Sequence, residues 1–246
     1  MQDTMSKKRK DQVSAIIPAY NEEKNILGVL RALVASPVLG EIIVVDDGST
    51  DDTVLVVKEN FPQVKCILMK KNVGKADALL AGAHVAKNPI LFFCDADLTD
   101  LKAFQVMDLV APVVEGRVGM VVGVQERMDA WRDTSLYRKL FPSSKNSSEE
   151  SSQMSDFVKG LGGEKVMLQK DFLAIPGIAG SDYGVEHRII NYFKEKKLPF
   201  EYYVLKGVGH VWKLQKWGIF KGLTREVRAF TTFGRQYLAK IFASTK

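Results

Sequence analysis

"PILFFCDADLTD", residues 89–100, runs five apolar side chains, Ile90 to Cys94, directly into two carboxylates, Asp95 and Asp97, one residue apart. A strand buried on both faces is apolar throughout, so the run suits the centre of a parallel sheet, and the acids mark where the chain leaves it. Residues two apart on an extended chain point the same way, and open α/β sheets bind ligands at that carboxyl edge. Two like charges facing one volume repel. A hard divalent cation relieves the repulsion, because it takes oxygen ligands and shares them with substrate phosphates. The alternative is plain helix entry, one Asp serving as a cap, for which Thr99 and Asp100 are better placed.

Outward from this strand, the first 125 residues alternate short β-type runs with amphipathic segments. The runs are "VSAII" (13–17), "EIIVV" (41–45), "VKCILM" (64–69), "ILFFC" (90–94) and "VGMVVG" (118–123). Such alternation predicts βαβ units and a mainly parallel central sheet flanked by helices. Further on, "DYGVEHRIINYFKEKK" (182–197) predicts a helix with Val185, Ile189, Ile190 and Phe193 on one side, and "FEYYVLKGV" (200–208) a strand. Between about 126 and 160 the chain turns polar and Ser-rich without a sustained period, as a loop or lid would.

The loops that follow the strands carry the chemistry. After the first comes "PAYNEEKNI" (18–26), in which Pro18 is expected to stop the strand and Asn21 and Glu22 stand at a helix entry. After the second, "VDDGSTDDT" (45–53) sets Asp46 and Asp47 before a Gly turn, with Ser49, Thr50 or Asp51 to cap a helix. After the third, "KNVGKADAL" (71–79) places Gly74 and Lys75 at a helix start, where backbone N–H groups and an ammonium suit a phosphate. With Asp95 and Asp97, four successive strands end in polar loops, all on one sheet edge if the strands are parallel. Together they describe a pocket with acids for a base, a ribose or a metal, and a Lys for a diphosphate. The patterns G-x-x-x-x-G-K-[ST], G-x-G-x-x-G and G-x-S-x-G are absent, which weighs against an ATPase, a dinucleotide enzyme or an α/β-hydrolase.

The chain has 246 residues, 46% of them hydrophobic, and a formal charge of +6. Residues 206–246 hold nine Lys or Arg and one acid, a balance of +8 that leaves −2 for residues 1–205. The basic character is therefore local, and suits anionic lipid, nucleic acid or a phosphorylated substrate. Phe220, Leu223, Val227, Phe230, Tyr237 and Ile241 recur at helical steps there, predicting an amphipathic helix. No apolar stretch reaches the length of a membrane span, and "MQDTMSKKRKDQ" lacks a signal-peptide core, so the expected location is cytoplasmic or peripheral at the inner membrane face. Cys66 and Cys94 lie in apolar runs and are expected to pack as small hydrophobes.

The segments "VSAIIPAYNEEKNI", "EIIVVDDGSTDDT", "NVGKADAL" and "FFCDADL", in this order and spacing, resemble the N-terminal half of a family 2 glycosyltransferase with the GT-A fold. The resemblance implies an α/β nucleotide-diphospho-sugar transferase domain. It divides the chain into a basic tail (1–12), a nucleotide-sugar-binding half (13–125), a flexible loop (126–160), an acceptor half (161–215) and a basic helix (216–246). It implies a donor held by Pro18, Ala19, Tyr20, Glu22, Asp46, Asp47, Gly74, Lys75, Asp95 and Ala96, with Asp95-Ala96-Asp97 as the DxD motif for Mg²⁺ or Mn²⁺. A weaker likeness, to glucosyl-3-phosphoglycerate synthases and dolichol-phosphate mannosyltransferases, is carried by "GLGGEKVMLQKDFLAIP" (160–176), "SDYGVEHRI" (181–189) and "GVGHVWKLQKWG" (207–218). It adds His210 as a metal ligand. Asp182 falls where inverting members place a base, and Glu186 where the retaining synthases have a Glu near the sugar. These two roles imply opposite stereochemistry, and both stay open.

The expected partners are a GDP- or UDP-hexose and a phosphorylated acceptor, either a small metabolite or a polyprenyl phosphate. Arg127, Arg132, Arg138 and Lys139 are candidates to position the acceptor. Membrane-surface contact and a homodimer fit the same reading, and no nucleic-acid partner is expected. The competing readings are a nucleotidyltransferase of similar fold, whose Gly-rich first loop is missing here, and a basic nucleic-acid-binding protein.

Overall fold

The structure, a computed structural model, describes residues 12–126, 162–181 and 184–211. Seven strands form one sheet in the order β3-β2-β1-β4-β7-β6-β8: β1 (Val13–Ala19), β2 (Glu41–Asp46), β3 (Lys65–Leu68), β4 (Ile90–Phe93), β6 (Met120–Gln125), β7 (Lys165–Leu168) and β8 (Phe200–Leu205). Neighbours β1, β2, β3 and β4 pair in parallel, as do β6 and β8, whereas β7 runs antiparallel to both β4 and β6. A separate ribbon pairs β5 (Leu98–Thr99) with β9 (Gly209–His210), setting Leu98 opposite His210. The fold is thus the mixed, mostly parallel α/β sheet that the alternating pattern predicts.

Side chains of successive strand residues feed two apolar layers. Val13, Ala15 and Ile17 pack with Ile26, Val29 and Leu30 of α1 (Ile26–Val34), Val57 of α2 (Thr53–Asn60), and Val106 and Leu109 of α4 (Ala103–Val114). Ile16, Phe93 and Val122 join the other layer, with Leu79 and Ala83 of α3 (Lys75–Val85), Phe172 of α5 (Gln169–Leu173), and Val185, Ile189 and Phe193 of α6 (Val185–Glu195). Ile90 to Cys94 are all buried, because both faces of β4 are covered by helices. Cys94 is fully buried and Cys66 partly so, and both are free thiols.

Several local expectations change. Pro18 does not stop β1; it pairs with Val45, and the strand runs on to Ala19. The pairing of β1 with β4 ends at Ile16 opposite Phe93, two residues before Pro18, so the proline lies beyond that ladder. Thr99 and Asp100 do not cap α4. Thr99 belongs to β5, and α4 begins at Ala103, where the Gln105 side-chain oxygen accepts the Lys102 N–H at 3.0 Å. The strand expected over 200–208 ends at Leu205, and Gly207 turns the chain at φ 72°. No helix among the described residues is long and apolar enough to cross a membrane. The expected loop at 126–160, apart from Glu126, and the basic C-terminal helix lie outside the described residues.

Candidate functional site

Because β1 to β4 are parallel, the loops after them share one edge of the sheet. Two of them are laced together: Asn21 donates its N–H to the Ser49 hydroxyl (2.9 Å) and accepts the Thr50 N–H on its side-chain oxygen (2.8 Å). The buried Glu22 donates its N–H to Thr53 Oγ1 (2.8 Å) and accepts from Asn25 Nδ2 on Oε2 (2.9 Å). The N-cap of α2 is Asp52 and not Ser49, Thr50 or Asp51, although Asp51 accepts the Thr53 N–H at 3.1 Å from one residue further out. Pro18, Ala19, Tyr20, Glu22 and Asp46 therefore stand around the adjoining ends of β1 and β2.

Asp47 has a more specific task. Its two carboxylate oxygens accept the N–H groups of Val73 and Gly74, each at 2.9 Å, and the side chain is buried. Gly74, at φ 110°, then admits the chain into α3, whose first residue is Lys75. The second acid of the β2 loop thus fixes the loop that presents the lysine. Asp47→Ala is expected to lower unfolding free energy by about 1–2 kcal/mol, since two part-buried N–H groups lose charge-assisted partners. Urea unfolding reads the loss; a change below about 0.5 kcal/mol would contradict the clamp.

Lys75 meets two carboxylates: its Nζ lies 2.7 Å from Asp95 Oδ1 and 2.8 Å from Glu186 Oε1. Burial works against the ammonium, but Asp95 and Glu186 together hold its pKa well above the ordinary lysine value. Glu186 reaches the site because the chain before α6 is anchored on α3: the Gly180 N–H donates to Asp77 Oδ2 at 2.9 Å, while Ile178 and Val185 bury in the layer that holds Leu79.

Asp95 turns its other oxygen elsewhere. Oδ2 lies 3.9 Å from His210 Nε2, and the same nitrogen lies 4.0 Å from Glu164 Oε1. One ligand atom each from Asp95, Glu164 and His210 can be chosen so that all lie within 4.8 Å of one another. His210 is delivered by the β5–β9 ribbon, continued by the Val211 N–H donating to the Asp97 carbonyl at 3.1 Å. Its Nδ1 sits 2.9 Å from the Gln125 side-chain amide, which leaves Nε2 facing the carboxylates.

The residues between the acids are equally shaped by the site. Ala96 is buried in the apolar layer below, and it lies with Asp97 in a turn between β4 and β5, so the two acids do not stand on the extended chain that the sequence suggested. Asp97 lies outside the three-residue set; burial and the neighbouring Asp95 raise its pKa. Burial would raise Asp95 too, but Lys75 and then His210 pull it below the usual carboxylate value.

Glu164 and Lys165 escaped the sequence reading, which left residues 164–168 without a strand. Both are fully buried. The Lys165 amine donates to the Gly162 carbonyl, and burial lowers its pKa to about 8 against the pull of Glu186. Among the described residues Glu164 has no hydrogen-bond partner on either carboxylate oxygen, and burial, then Asp95, raise its pKa to about 7. The available signal was "GGEK" itself, two glycines before charged residues at the head of an apolar run. Asp182, Arg127, Arg132, Arg138 and Lys139 lie outside the described residues.

A family model described as Glycosyl transferase family 2 matches residues 14–170, more than half of the chain. Undecaprenyl-phosphate 4-deoxy-4-formamido-L-arabinose transferase of Enterobacter sp. (strain 638) is 30% identical over 128 residues, which cover 49% of this chain and 39% of that protein. An uncharacterized protein of Methanocaldococcus jannaschii is 36% identical over 120 residues, covering 46% of this chain and 51% of its own length. The chain thus spans about half or less of these curated relatives. Among solved structures, glucosyl-3-phosphoglycerate synthase of Mycobacterium tuberculosis, crystallised with Mn²⁺, UDP and glucosyl-3-phosphoglycerate, is similar with a TM-score of 0.66 at 22% identity, over 84% of this chain and 74% of that one. That likeness is one of fold. The family match, on a mostly parallel sheet with its polar loops gathered at one edge, establishes that this chain belongs to glycosyl transferase family 2.

Proposed function

We propose that the chain transfers a hexose from a nucleotide-diphosphate sugar to a phosphorylated acceptor, with Mg²⁺ or Mn²⁺ at the donor diphosphate. The observation that carries the reading is Lys75, held at the N-terminus of α3 between Asp95 and Glu186, on the edge where four strand-end loops meet. An ammonium has three N–H donors, so two carboxylates leave a third for a phosphate oxygen. The helix N-terminus beside it favours the same anion.

In the transfer, the bond from the sugar's anomeric carbon to the diphosphate breaks and one to the acceptor oxygen forms. Negative charge grows on the departing nucleoside diphosphate. Lys75 and the first turn of α3 stabilise it there, in a site fixed before reaction, which is where electrostatic stabilisation is most effective. Asp95 and His210 are suited by chemistry and position to hold the divalent ion, since a carboxylate oxygen and an imidazole nitrogen fit Mn²⁺ or Mg²⁺ sites. When bound, the ion neutralises diphosphate charge. A phosphate acceptor is already an anion and needs no base; a hydroxyl acceptor does, and Glu186 or Asp182 would serve.

Both acceptor classes have support among similar proteins. The Enterobacter relative is named for undecaprenyl phosphate, and a synthase crystal from Mycobacterium tuberculosis contained UDP-glucose, Mn²⁺ and phosphoglyceric acid. A thermal-shift screen of UDP-, GDP-, ADP- and dTDP-sugars, each with Mn²⁺ and with EDTA, tests the donor reading. One nucleotide sugar should raise Tm in the presence of Mn²⁺ alone. No shift with any of them at millimolar ligand would remove the donor site, and with it the transferase reading.

A further inference from the structure

Among the described residues the buried carboxylate of Glu164 makes no hydrogen bond on either oxygen, and His210 Nε2 stands 4.0 Å from its Oε1. Its side chain is 1% exposed. Taking such a group out of water without a partner costs several kcal/mol, so a buried carboxylate is ordinarily paired or bound to a metal. Here the space around it has been cleared. A Cβ on Gly123, the β6 residue whose N–H donates to the Glu164 carbonyl at 2.8 Å, would meet Glu164 Cβ at 2.8 Å. A Cβ on Gly163 would collide with the Asp95 carboxylate. Two glycines thus make room for two acids, and the strand order brings the acids together, since β7 lies between β4 and β6.

We propose that Glu164 is a ligand of the divalent cation, sharing it with Asp95 Oδ2 and His210 Nε2, so that the protein holds the ion before any nucleotide arrives. Asp97, the second acid of the DxD motif, lies outside this set of three. The inference rests on the metal-dependent reading above and adds a residue that the motif does not contain. The partners of each ligand fit it. Asp95 spends Oδ1 on Lys75 and turns Oδ2 toward His210. Gln125 engages His210 Nδ1, so Nε2 faces the cluster; with a cation on Nε2, the ring proton sits on Nδ1 and the amide presents its oxygen to it. The ligand atoms lie within 4.8 Å of one another, somewhat wider than around a bound ion, and seating the ion draws them inward.

Electron paramagnetic resonance of free Mn²⁺, titrated into the full chain without nucleotide, tests this directly. The unaltered protein should bind one Mn²⁺. Glu164→Gln should weaken that binding by at least about tenfold. Glu164→Asp, which keeps the carboxylate, should recover part of the loss, as a space-filling role would not. Glu164→Gln binding Mn²⁺ as tightly as the unaltered protein would overturn the proposal. So would an unaltered protein that takes up Mn²⁺ only when UDP or GDP is present, a result that needs no variant to fold. In that case the donor reading stands and the Glu164 assignment alone falls; Glu164-dependent Mn²⁺ uptake with no response to any nucleotide sugar would mean the reverse.

Discussion

Asp95→Ala is expected to reduce the proposed sugar transfer by about 10³-fold, the scale seen when one preorganised electrostatic group is taken from a reaction centre. The reason lies in its two oxygens, one 2.7 Å from the Lys75 ammonium and the other 3.9 Å from His210 Nε2. Removing them frees Lys75 to swing toward Glu186 alone and takes away one of the acids best placed for a cation. The fold itself should lose little, about 1–2 kcal/mol, because Glu186 still neutralises the lysine. Initial rates of donor consumption, taken alongside a thermal melt, separate the two effects. A rate within about fivefold of the unaltered protein, at unchanged Tm, would show that Asp95 takes no part in the reaction.

Lys75→Met is expected to damage stability and transfer together. It leaves the carboxylates of Asp95 and Glu186 facing the same point with no cation between them. Breaking a buried pair by removing one partner costs roughly 3–5 kcal/mol; with side chains 21% and 11% exposed, solvent screening reduces this to about 2–3 kcal/mol. For a chain of this size that corresponds to a fall in Tm of about 5–10 °C. Transfer should drop by about 10²-fold or more, since the departing diphosphate loses its nearest fixed cation. Lys75→Arg keeps the charge but not the compact ammonium, and a planar guanidinium cannot sit between two carboxylates and a phosphate in the same way, so recovery should be incomplete. Differential scanning calorimetry together with steady-state rates checks both parts. A Lys75→Met protein as stable as the original would mean that the two ion pairs contribute nothing.

How much of this was readable beforehand differs from one residue to the next. Lys75 and Asp95 could be named from the sequence because each lies in the connection after a recognisable strand, Asp95 two residues past Phe93 and Lys75 seven past Leu68 at the head of the next helix, and parallel strands put such connections on a common edge. Asp47 could be named too, but its task could not: hydrogen bonds to Val73 and Gly74 depend on how closely two loops approach, and the order of residues within either loop does not encode that distance. Glu186 was marked only by the resemblance to the synthases, and its contact with Lys75 came only with the docking of residues 178–180 onto α3.

Taken alone, the sequence determined the alternation of strands and helices, the parallel pairing of the first four strands and the edge where the polar loops gather. These follow from local hydrophobic period and from the short-range geometry of strand, loop and helix. Only the tertiary structure decided that β7, four residues headed by Lys165, enters antiparallel between β4 and β6 and carries Glu164 to the side of Asp95, and that a two-residue ribbon brings His210 to meet them. Periodicity reports which face of a strand is buried, not which strand lies beside it. The neighbour is chosen by the packing of the whole sheet, and the cluster of Asp95, Glu164 and His210 exists through that choice.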